Sequence, residues 1–217
     1  MKKVNFLLFF YFLTLMTISC QSIEQTYTIE TNMGNIQVKL YDKTPLHKEN
    51  FEKLVAEQFY DSVLFHRIIA GFMIQTGNPA TKPVSNIDSL RDALNYTVPA
   101  EFIPEYFHKK GALAAARTGD NLNPEKRSSS SQFYIVQGRS YDDGELDQIE
   151  QHYQLKFSEF QRGIYKTFGG TPFLDQNYTV FGEIVKGMEV VDAISSVATG
   201  PGDFPENEVR ILRIVKD

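Results

Sequence analysis

One stretch of this 217-residue chain stands out: Phe65-His66-Arg67-Ile68-Ile69-Ala70-Gly71-Phe72-Met73-Ile74-Gln75. It places an arginine, which is charged at any physiological pH, among apolar residues. An arginine in such surroundings most often makes a structural ion pair, and the stretch alone does not distinguish that role from a functional one. Met73 and Gln75 are two residues apart, so on a strand both side chains would face the same side.

On either side of this stretch, apolar and polar residues alternate in the way that is typical of β-strands. The segments 27–30 and 35–40 alternate, and Asn32-Met33-Gly34-Asn35 between them predicts a tight hairpin turn. Helices are predicted from Thr44-Pro45, with Thr44 as the N-cap, and at 188–195. Further strands are predicted at 111–116, 132–137, 178–185 and 209–215. The pattern as a whole indicates a mainly β domain.

Two long segments interrupt the β pattern, at about residues 80–99 and 139–170. Loops of this length are usually functional or disordered. Within the second segment, the acidic run from Asp142 to Tyr153 is compatible with a helix, and Ser158-Glu159-Phe160-Gln161 is typical of the start of another short helix. We therefore expect a partly helical insertion at 139–170.

Composition and charge exclude several classes of function. The hydrophobic content of 42% is enough for a folded core, and the formal net charge of −5 does not favour a nucleic-acid partner. A single cysteine can form neither an intrachain disulfide nor a thiolate metal site. The four histidines, at positions 47, 66, 108 and 152, do not follow a metal-ligand spacing. We expect neither a metal nor a cofactor.

The N-terminus has the features of a targeting signal. Lys2 and Lys3 precede an almost unbroken apolar run, 6–18, which is shorter than the roughly 20 residues that a membrane-spanning helix needs. A buried core helix is the alternative, but the run is terminal, flanked by lysines and apolar on all sides. We predict a signal peptide at residues 1–19.

The residues that follow this run resemble a bacterial lipobox. Thr17-Ile18-Ser19 precedes Cys20, although a lipobox usually has Leu where Thr17 stands. The resemblance implies a lipidated Cys20, a tether over residues 20–26 and a domain over 27–217. It predicts a protein of the bacterial cell envelope that faces the periplasm. Gln21, rather than Asp, after the cysteine resembles the outer-membrane signal of enteric bacteria, so we expect the outer rather than the inner membrane.

The central stretch resembles the signature of the cyclophilin family: Phe-His-Arg, two aliphatic residues, any residue, Gly-Phe-Met, any residue, Gln. Three further blocks resemble the family in the same order: 111–116, Ser130-Ser131-Gln132-Phe133-Tyr134-Ile135, and 171–182 with Leu174-Asp175 and Val180-Phe181-Gly182. The resemblance covers about residues 28–215. It implies a closed antiparallel barrel of eight strands, capped by two helices and extended here by the partly helical insertion.

The resemblance also implies an activity, peptidyl-prolyl cis-trans isomerisation, and the residues that carry it. Arg67 and Gln75 would be catalytic, with Arg67 stabilising the twisted Xaa-Pro amide and Gln75 bonding the substrate or orienting Arg67. The substrate-binding residues would be Phe72, Met73, Ala116, Arg117, Gln132, Tyr134, Phe173, Leu174 and Tyr178. For the apolar members of this set, plain core packing is the ordinary interpretation in the absence of the family pattern.

Four of these positions depart from the family pattern, and one of them is Arg117, which stands where Asn is common. Tyr134 replaces the usual Phe, which a pocket tolerates if the added hydroxyl reaches water or a partner. Phe173 stands where many eukaryotic members have Trp, and Tyr178 stands where they have His. His66 adjoins Arg67, but alternation places it on the opposite face, which favours a structural role.

Two hypotheses about function remain open from the sequence. The first is an active isomerase that assists the folding of proline-containing envelope proteins. The second is a module of low turnover that binds proline-containing segments, or acts like a chaperone, through its insertions. The complete set of Arg67 and pocket residues favours the first, whereas the acidic insertion and the predicted lipid anchor favour the second.

Overall fold

The computed structural model describes residues 25–83 and 87–217. The predicted signal peptide and Cys20 lie outside these residues, as does the predicted tether apart from Gln25 and Thr26. Thr26 already belongs to the first strand. No helix in the described part of the chain is both long enough and apolar enough to cross a membrane.

The chain forms ten strands and five helices within these residues. The strands are β1 (Thr26–Thr31), β2 (Gly34–Leu40), β3 (Arg67–Ile69), β4 (Met73–Thr76), β5 (Thr97–Val98), β6 (Ala112–Ala115), β7 (Ser128–Ser129), β8 (Phe133–Val136), β9 (Val180–Lys186) and β10 (Ile211–Lys216). The helices are α1 (Pro45–Ala56), α2 (Ile87–Ala93), α3 (Asp143–Tyr153), α4 (Glu159–Thr167) and α5 (Met188–Ser195). Short 3-10 turns lie at Pro79–Thr81, Pro172–Leu174 and Pro201–Asp203.

Eight strands form one antiparallel sheet in the order β10-β1-β2-β9-β6-β8-β4-β3. The predicted hairpin is confirmed, since β1 and β2 pair with Thr31 opposite Gly34 and are joined by Asn32 and Met33. The mainly β class is likewise confirmed. The sheet therefore brings β3 and β4, which carry the central stretch, beside β8 and β6.

The predicted closed barrel is wrong, because β3 and β10 are the two edges of a curled sheet and do not pair strand to strand in the described chain. A short contact bridges these edges: the Phe65 N–H donates to the Val209 carbonyl at 2.8 Å and the Ser62 N–H to the Ile211 carbonyl at 2.9 Å. These bonds involve residues ahead of β3, since β3 itself pairs with β4 from Arg67 onward. Because β3 has only three residues, it is too short to extend this pairing along β10.

The two faces of the sheet have different roles. Inward-facing residues such as Ile74 and Phe133 join the main core, which α1 covers with Phe51 and α5 with Ile194. The two predicted capping helices are thereby confirmed, and Thr44 stands at the N-cap position of α1. The alternate residues of β4, β6 and β8 pack into a second cluster on the outer face, which is the face that carries the candidate site.

The 139–170 insertion is partly helical, as predicted. Each of its helices begins with a reciprocal capping box, Asp142 with Glu145 for α3 and Ser158 with Gln161 for α4. The helices enclose a small core of their own, made of Phe107, Tyr141, Leu146, Phe157 and Tyr165. The 80–99 segment contains α2 and β5, and β5 pairs with β7.

The insertion leaves and rejoins the sheet at one point. Gly138 and Gly170 approach so closely that a Cβ on Gly138 would lie 2.5 Å from the Gly170 Cα, and Gly138 has a left-handed φ of +66°. Arg139 and Gly170 exchange backbone hydrogen bonds of 3.3 and 3.0 Å. Glycine is needed here because no side chain fits between the two backbones.

Candidate active site

The strand register places three candidate residues in one row across the outer face. Arg67 of β3 lies opposite Gln75 of β4, and Gln75 lies opposite Tyr134 of β8. Ala114 of β6 continues the row. The expectation that Met73 and Gln75 share a face is confirmed, because both line the same cavity.

A cavity of about 110 Å³ opens on this face. Since a water molecule takes up about 30 Å³ in the liquid, the cavity has room for a small ring. Nine of the eleven predicted catalytic and substrate-binding residues line it: Arg67, Phe72, Met73, Gln75, Ala116, Arg117, Tyr134, Leu174 and Tyr178. The structure thus brings together residues from the central stretch and from each of the three later blocks, while their individual roles stay predictions.

The other two predicted residues, Gln132 and Phe173, border this cavity. The Gln75 Nε2 donates to the Gln132 Oε1 at 3.0 Å, and both side chains line a neighbouring cavity of about 290 Å³. The Phe173 ring lies 5.7 Å from the Phe72 ring, centroid to centroid. The site therefore has a polar end at the glutamines and an aromatic end at Phe72 and Phe173. His66 does not line the cavity, and burial lowers the pKa of its imidazole.

Arg67 makes a contact that the sequence did not reveal. Its Nε donates to the Asp203 Oδ2 at 3.1 Å, and both side chains are about two-fifths exposed. Asp203 lies 136 residues further along the chain and has a left-handed φ of +62°. Gly200-Pro201-Gly202-Asp203 indicates a turn but not its target. Asp203 thus holds the guanidinium at Nε and leaves its terminal nitrogens for a ligand.

Replacing Asp203 by alanine should modestly lower the isomerase activity that the family resemblance implies, because Arg67 loses a positioning partner and keeps its charge. Exposed ion pairs contribute about 0–1 kcal/mol, so kcat/KM should fall by up to about 5-fold. Asp203→Asn, which keeps an oxygen acceptor, should recover part of the loss. Steady-state kinetics should assign the change to kcat rather than KM, and a change in KM alone would contradict a positioning role.

The hydroxyl of Tyr134 has the buried partner that this departure from the family pattern demanded. It lies 2.9 Å from the Nε2 of His108, and the Nδ1 of His108 lies 2.8 Å from the Asp175 Oδ1. The Tyr165 hydroxyl donates to the Asp175 Oδ2 at 2.6 Å. These four residues are at most 4% exposed. Tyr134, His108, Asp175 and Tyr165 form what we call the buried relay.

The protonation pattern of the buried relay follows from its geometry. Burial raises the pKa of Tyr134 and of Tyr165 well above the usual value for tyrosine, so both hydroxyls keep their protons. The Asp175 Oδ1 also accepts the backbone N–H of His108 at 2.8 Å. A carboxylate accepts only, so the Nδ1 of His108 donates to Asp175, and the Tyr134 hydroxyl is placed to donate to Nε2. The relay links the pocket wall to α4 of the insertion.

Arg117 is held by its own loop and by the segment around Asn177, and it does not extend freely into the site. Its Nε donates to the Asn177 carbonyl at 2.7 Å and its Nη1 to the Asp120 carboxylate at 2.6 Å. The guanidinium also lies 4.4 Å from the centre of the Tyr178 ring. The side chain is only 4% exposed, so its charge is already compensated within the protein.

Comparison with known proteins agrees with this geometry. The sequence model of the family described as cyclophilin-type peptidyl-prolyl cis-trans isomerase/CLD matches residues 26–216. The chain belongs to the cyclophilin family. This cyclophilin is therefore a peptidyl-prolyl cis-trans isomerase, and the cavity on its outer face is the candidate active site.

Relatives of this cyclophilin occur in bacteria and plants. It is 31% identical over 196 residues to a peptidyl-prolyl cis-trans isomerase of Arabidopsis thaliana, covering 86% of this chain and 92% of the plant protein. It is 32% identical over 195 residues to a protein of Staphylococcus haemolyticus that is provisionally named for the same activity, covering 89% and 92% of the two chains. A Streptococcus pyogenes protein provisionally named as a bifunctional phosphatase and isomerase is 35% identical over 198 residues; the match covers 86% of this chain but only 37% of that protein.

Solved structures support the fold. A cyclophilin of Cryptosporidium parvum superposes with a TM-score of 0.63 at 22% identity, covering 89% of this cyclophilin and 97% of that chain. The same parasite protein, crystallised in the presence of the dipeptide Ala-Pro, gives a TM-score of 0.62 at 22% identity, with 88% and 98% of the chains covered. No group of three or more potential metal-ligating side chains occurs among the residues that the structure describes.

Proposed function

We propose that Arg67 speeds rotation about Xaa-Pro bonds by donating a hydrogen bond to the prolyl nitrogen of the twisted amide. The planar amide resists rotation by about 18–20 kcal/mol because its C–N bond has partial double-bond character. Twisting returns a lone pair to the nitrogen, so a donor aimed at that atom binds the twisted state better than either planar state. Only such differential binding accelerates the reaction.

The observation that carries this proposal is that Arg67 lines a small cavity which also has apolar side chains in its wall. Phe72, Met73 and Leu174 offer a surface that a proline ring can cover, and the cavity volume is about 110 Å³. Asp203 occupies the Nε of Arg67, so the remaining donors of the guanidinium are on its terminal nitrogens. The apolar walls would bind the ring in every state, whereas Arg67 would favour the twisted one.

Gln75 and Gln132 would hold the substrate backbone at the polar end of the site. Their mutual hydrogen bond uses one Gln75 donor and one Gln132 acceptor. The free carbonyl of Gln75 and the free amide of Gln132 can then serve a peptide as acceptor and donor. A rotation breaks no covalent bond, so neither a nucleophile nor an obligatory proton transfer is needed.

The direct test is a protease-coupled isomerisation assay of the purified wild-type protein with short Xaa-Pro peptides. We expect turnover that is proportional to enzyme concentration. Peptide binding without turnover would instead favour the alternative, a proline-peptide binding or chaperone-like module of low turnover. Replacement of Arg67 by alanine also distinguishes the isomerase from the binding module.

We also propose that the natural substrates are proline-containing proteins of a bacterial cell envelope and that a lipid on Cys20 anchors the enzyme facing the periplasm. The support for this location is the N-terminal sequence alone: two lysines, an apolar run and a lipobox-like Thr17-Ile18-Ser19-Cys20. The outer membrane is the preferred site because Gln21 follows the cysteine. Assistance to folding would follow from slow uncatalysed Xaa-Pro exchange, which takes tens to hundreds of seconds.

Replacing Cys20 by serine should abolish lipidation, because serine lacks the thiol that carries the lipid. We expect the wild-type protein to partition into detergent and to lack residues 1–19, whereas Cys20→Ser should be soluble or unprocessed. Detergent phase separation and intact mass spectrometry measure both properties. A Cys20→Ser protein that remains membrane-bound and correctly processed would disprove the lipoprotein assignment.

A further inference from the structure

The insertion places an exposed aromatic side chain beside the proline pocket. Tyr153, the last residue of α3, is 44% exposed, and its ring centroid lies 6.2 Å from that of Phe173. Phe173 lies 5.7 Å from Phe72, which lines the pocket. Separations of about 4.5–7 Å are those of interacting aromatic pairs. Phe72, Phe173 and Tyr153 form a continuous aromatic strip that leads from the pocket to α3.

The aromatic strip continues into an open groove of about 680 Å³ along α3, which we call the α3 groove. Its lining includes Tyr153, Ile149 and Gln148. The groove has no uncompensated arginine charge, because the Arg139 Nη2 pairs with the Glu145 carboxylate at 2.8 Å. Such a surface suits a neutral polypeptide segment better than a phosphate or another highly charged ligand.

The aromatic strip leaves the pocket at the end away from the glutamines. Phe72 immediately precedes β4, whereas Gln75 lies near the other end of that strand. A bound chain that contacts Gln75 and Gln132 on one side of its proline would therefore pass over the strip on the other side. An extended chain advances about 3.3 Å per residue, so ring-to-ring steps of 5.7 and 6.2 Å correspond to roughly three or four residues.

We propose that the aromatic strip and the α3 groove form a second subsite of this enzyme. It binds an aromatic or large aliphatic side chain about two to four residues from the proline, on one side only. The occupant is a segment of the same polypeptide whose proline occupies the pocket, because the subsite is continuous with that pocket. The inference rests on the proposed function and defines a class of substrate: extended segments with a bulky apolar residue near the proline.

The test compares peptides that share one Xaa-Pro core and carry either Phe or Ala at a single position two, three or four residues before or after the proline. We expect Phe to raise kcat/KM by roughly 2- to 10-fold over Ala on one side of the proline only. In Tyr153→Ala this Phe-to-Ala ratio should fall to about 1. The matched control is Phe168→Ala, which removes another aromatic side chain of the insertion, 64% exposed and outside the strip, and should keep the wild-type ratio.

A wild-type ratio near 1 at every position, with the short core peptide still turned over, would overturn the subsite while the proposed function stands. No turnover of any peptide would overturn both. An equal fall of the Phe-to-Ala ratio in Phe168→Ala would also overturn the subsite. If Tyr153→Ala does not fold, cross-linking to the wild-type protein tests the proposal instead. A peptide with a photoreactive phenylalanine at the preferred position should attach to α3, and attachment elsewhere contradicts the proposal.

Discussion

Replacing Arg67 by alanine should lower the kcat/KM of Xaa-Pro isomerisation by roughly 30- to 1000-fold. Arg67 is a preorganised donor that acts in the transition state, and loss of such a donor costs about 2–4 kcal/mol. Peptide affinity should change much less, because the apolar walls supply most of the binding in the planar states. Steady-state kinetics and calorimetric peptide binding, both on protein shown to be folded by thermal melting, measure the two quantities.

Two further variants sharpen the result. Arg213→Ala removes another exposed arginine, which lies on β10 and pairs with Glu30, and should leave the kinetics unchanged. Leu174→Ala should weaken binding and rate together, since the pocket holds the ring in every state. If Arg67→Ala retained full activity, the proposed donor would be wrong even though the family assignment stands.

Replacing Asp175 by alanine should destabilise the protein by about 3–5 kcal/mol, because it removes the acceptor on which the buried relay depends. The carboxylate accepts from the His108 backbone and ring and from the Tyr165 hydroxyl, and it is 4% exposed. Its loss leaves several buried donors unpaired. For a chain of this size the melting temperature should fall by roughly 6–20 °C. Urea denaturation gives the free energy of unfolding directly.

The matched control for this prediction is Asp147→Ala. Asp147 is likewise a hydrogen-bonded carboxylate, paired with Arg162, but its side chain is 68% exposed, so the change should cost less than about 1 kcal/mol. Tyr165→Phe removes a single relay donor and should fall between the two variants. A loss of less than 1 kcal/mol in Asp175→Ala would mean that the relay contributes no net stability.

Much of the fold could be predicted because its local signals are strong. Alternation located β1 and β2, Thr44-Pro45 located the first helix, and Ser158 located the start of α4, whereas the two-residue strands β5 and β7 were not predicted. Closure of the barrel could not be predicted in the same way. It depends on how far two edge strands overlap, and that overlap is limited by the length of β3 rather than by any local pattern.

The residues of the candidate site could be predicted from the sequence, but the hydrogen bonds that connect them could not. The family resemblance named the residues that line the cavity, and it also showed that the Tyr134 hydroxyl needed a partner. His108, the partner of Tyr134, lies 26 residues from it along the chain, and no sequence pattern distinguishes it from the other three histidines. The sequence around Asp203 indicated a turn but not its partner, because the hydrogen bond to Arg67 spans 136 residues and exists only after folding.

The meeting of Gly138 and Gly170 has a consequence for how this enzyme can change. A loop whose two ends already lie in contact disturbs no strand pairing. The entropic cost of closing it is about 3 kcal/mol for some 30 residues and rises only about 0.6 kcal/mol for each doubling of its length. Apart from Tyr165, which belongs to the buried relay, the segment between these two glycines can therefore be lengthened, shortened or exchanged while the sheet keeps its register. Substrate preference beside the proline pocket can then evolve, or be engineered by grafting, separately from the chemistry of the pocket itself.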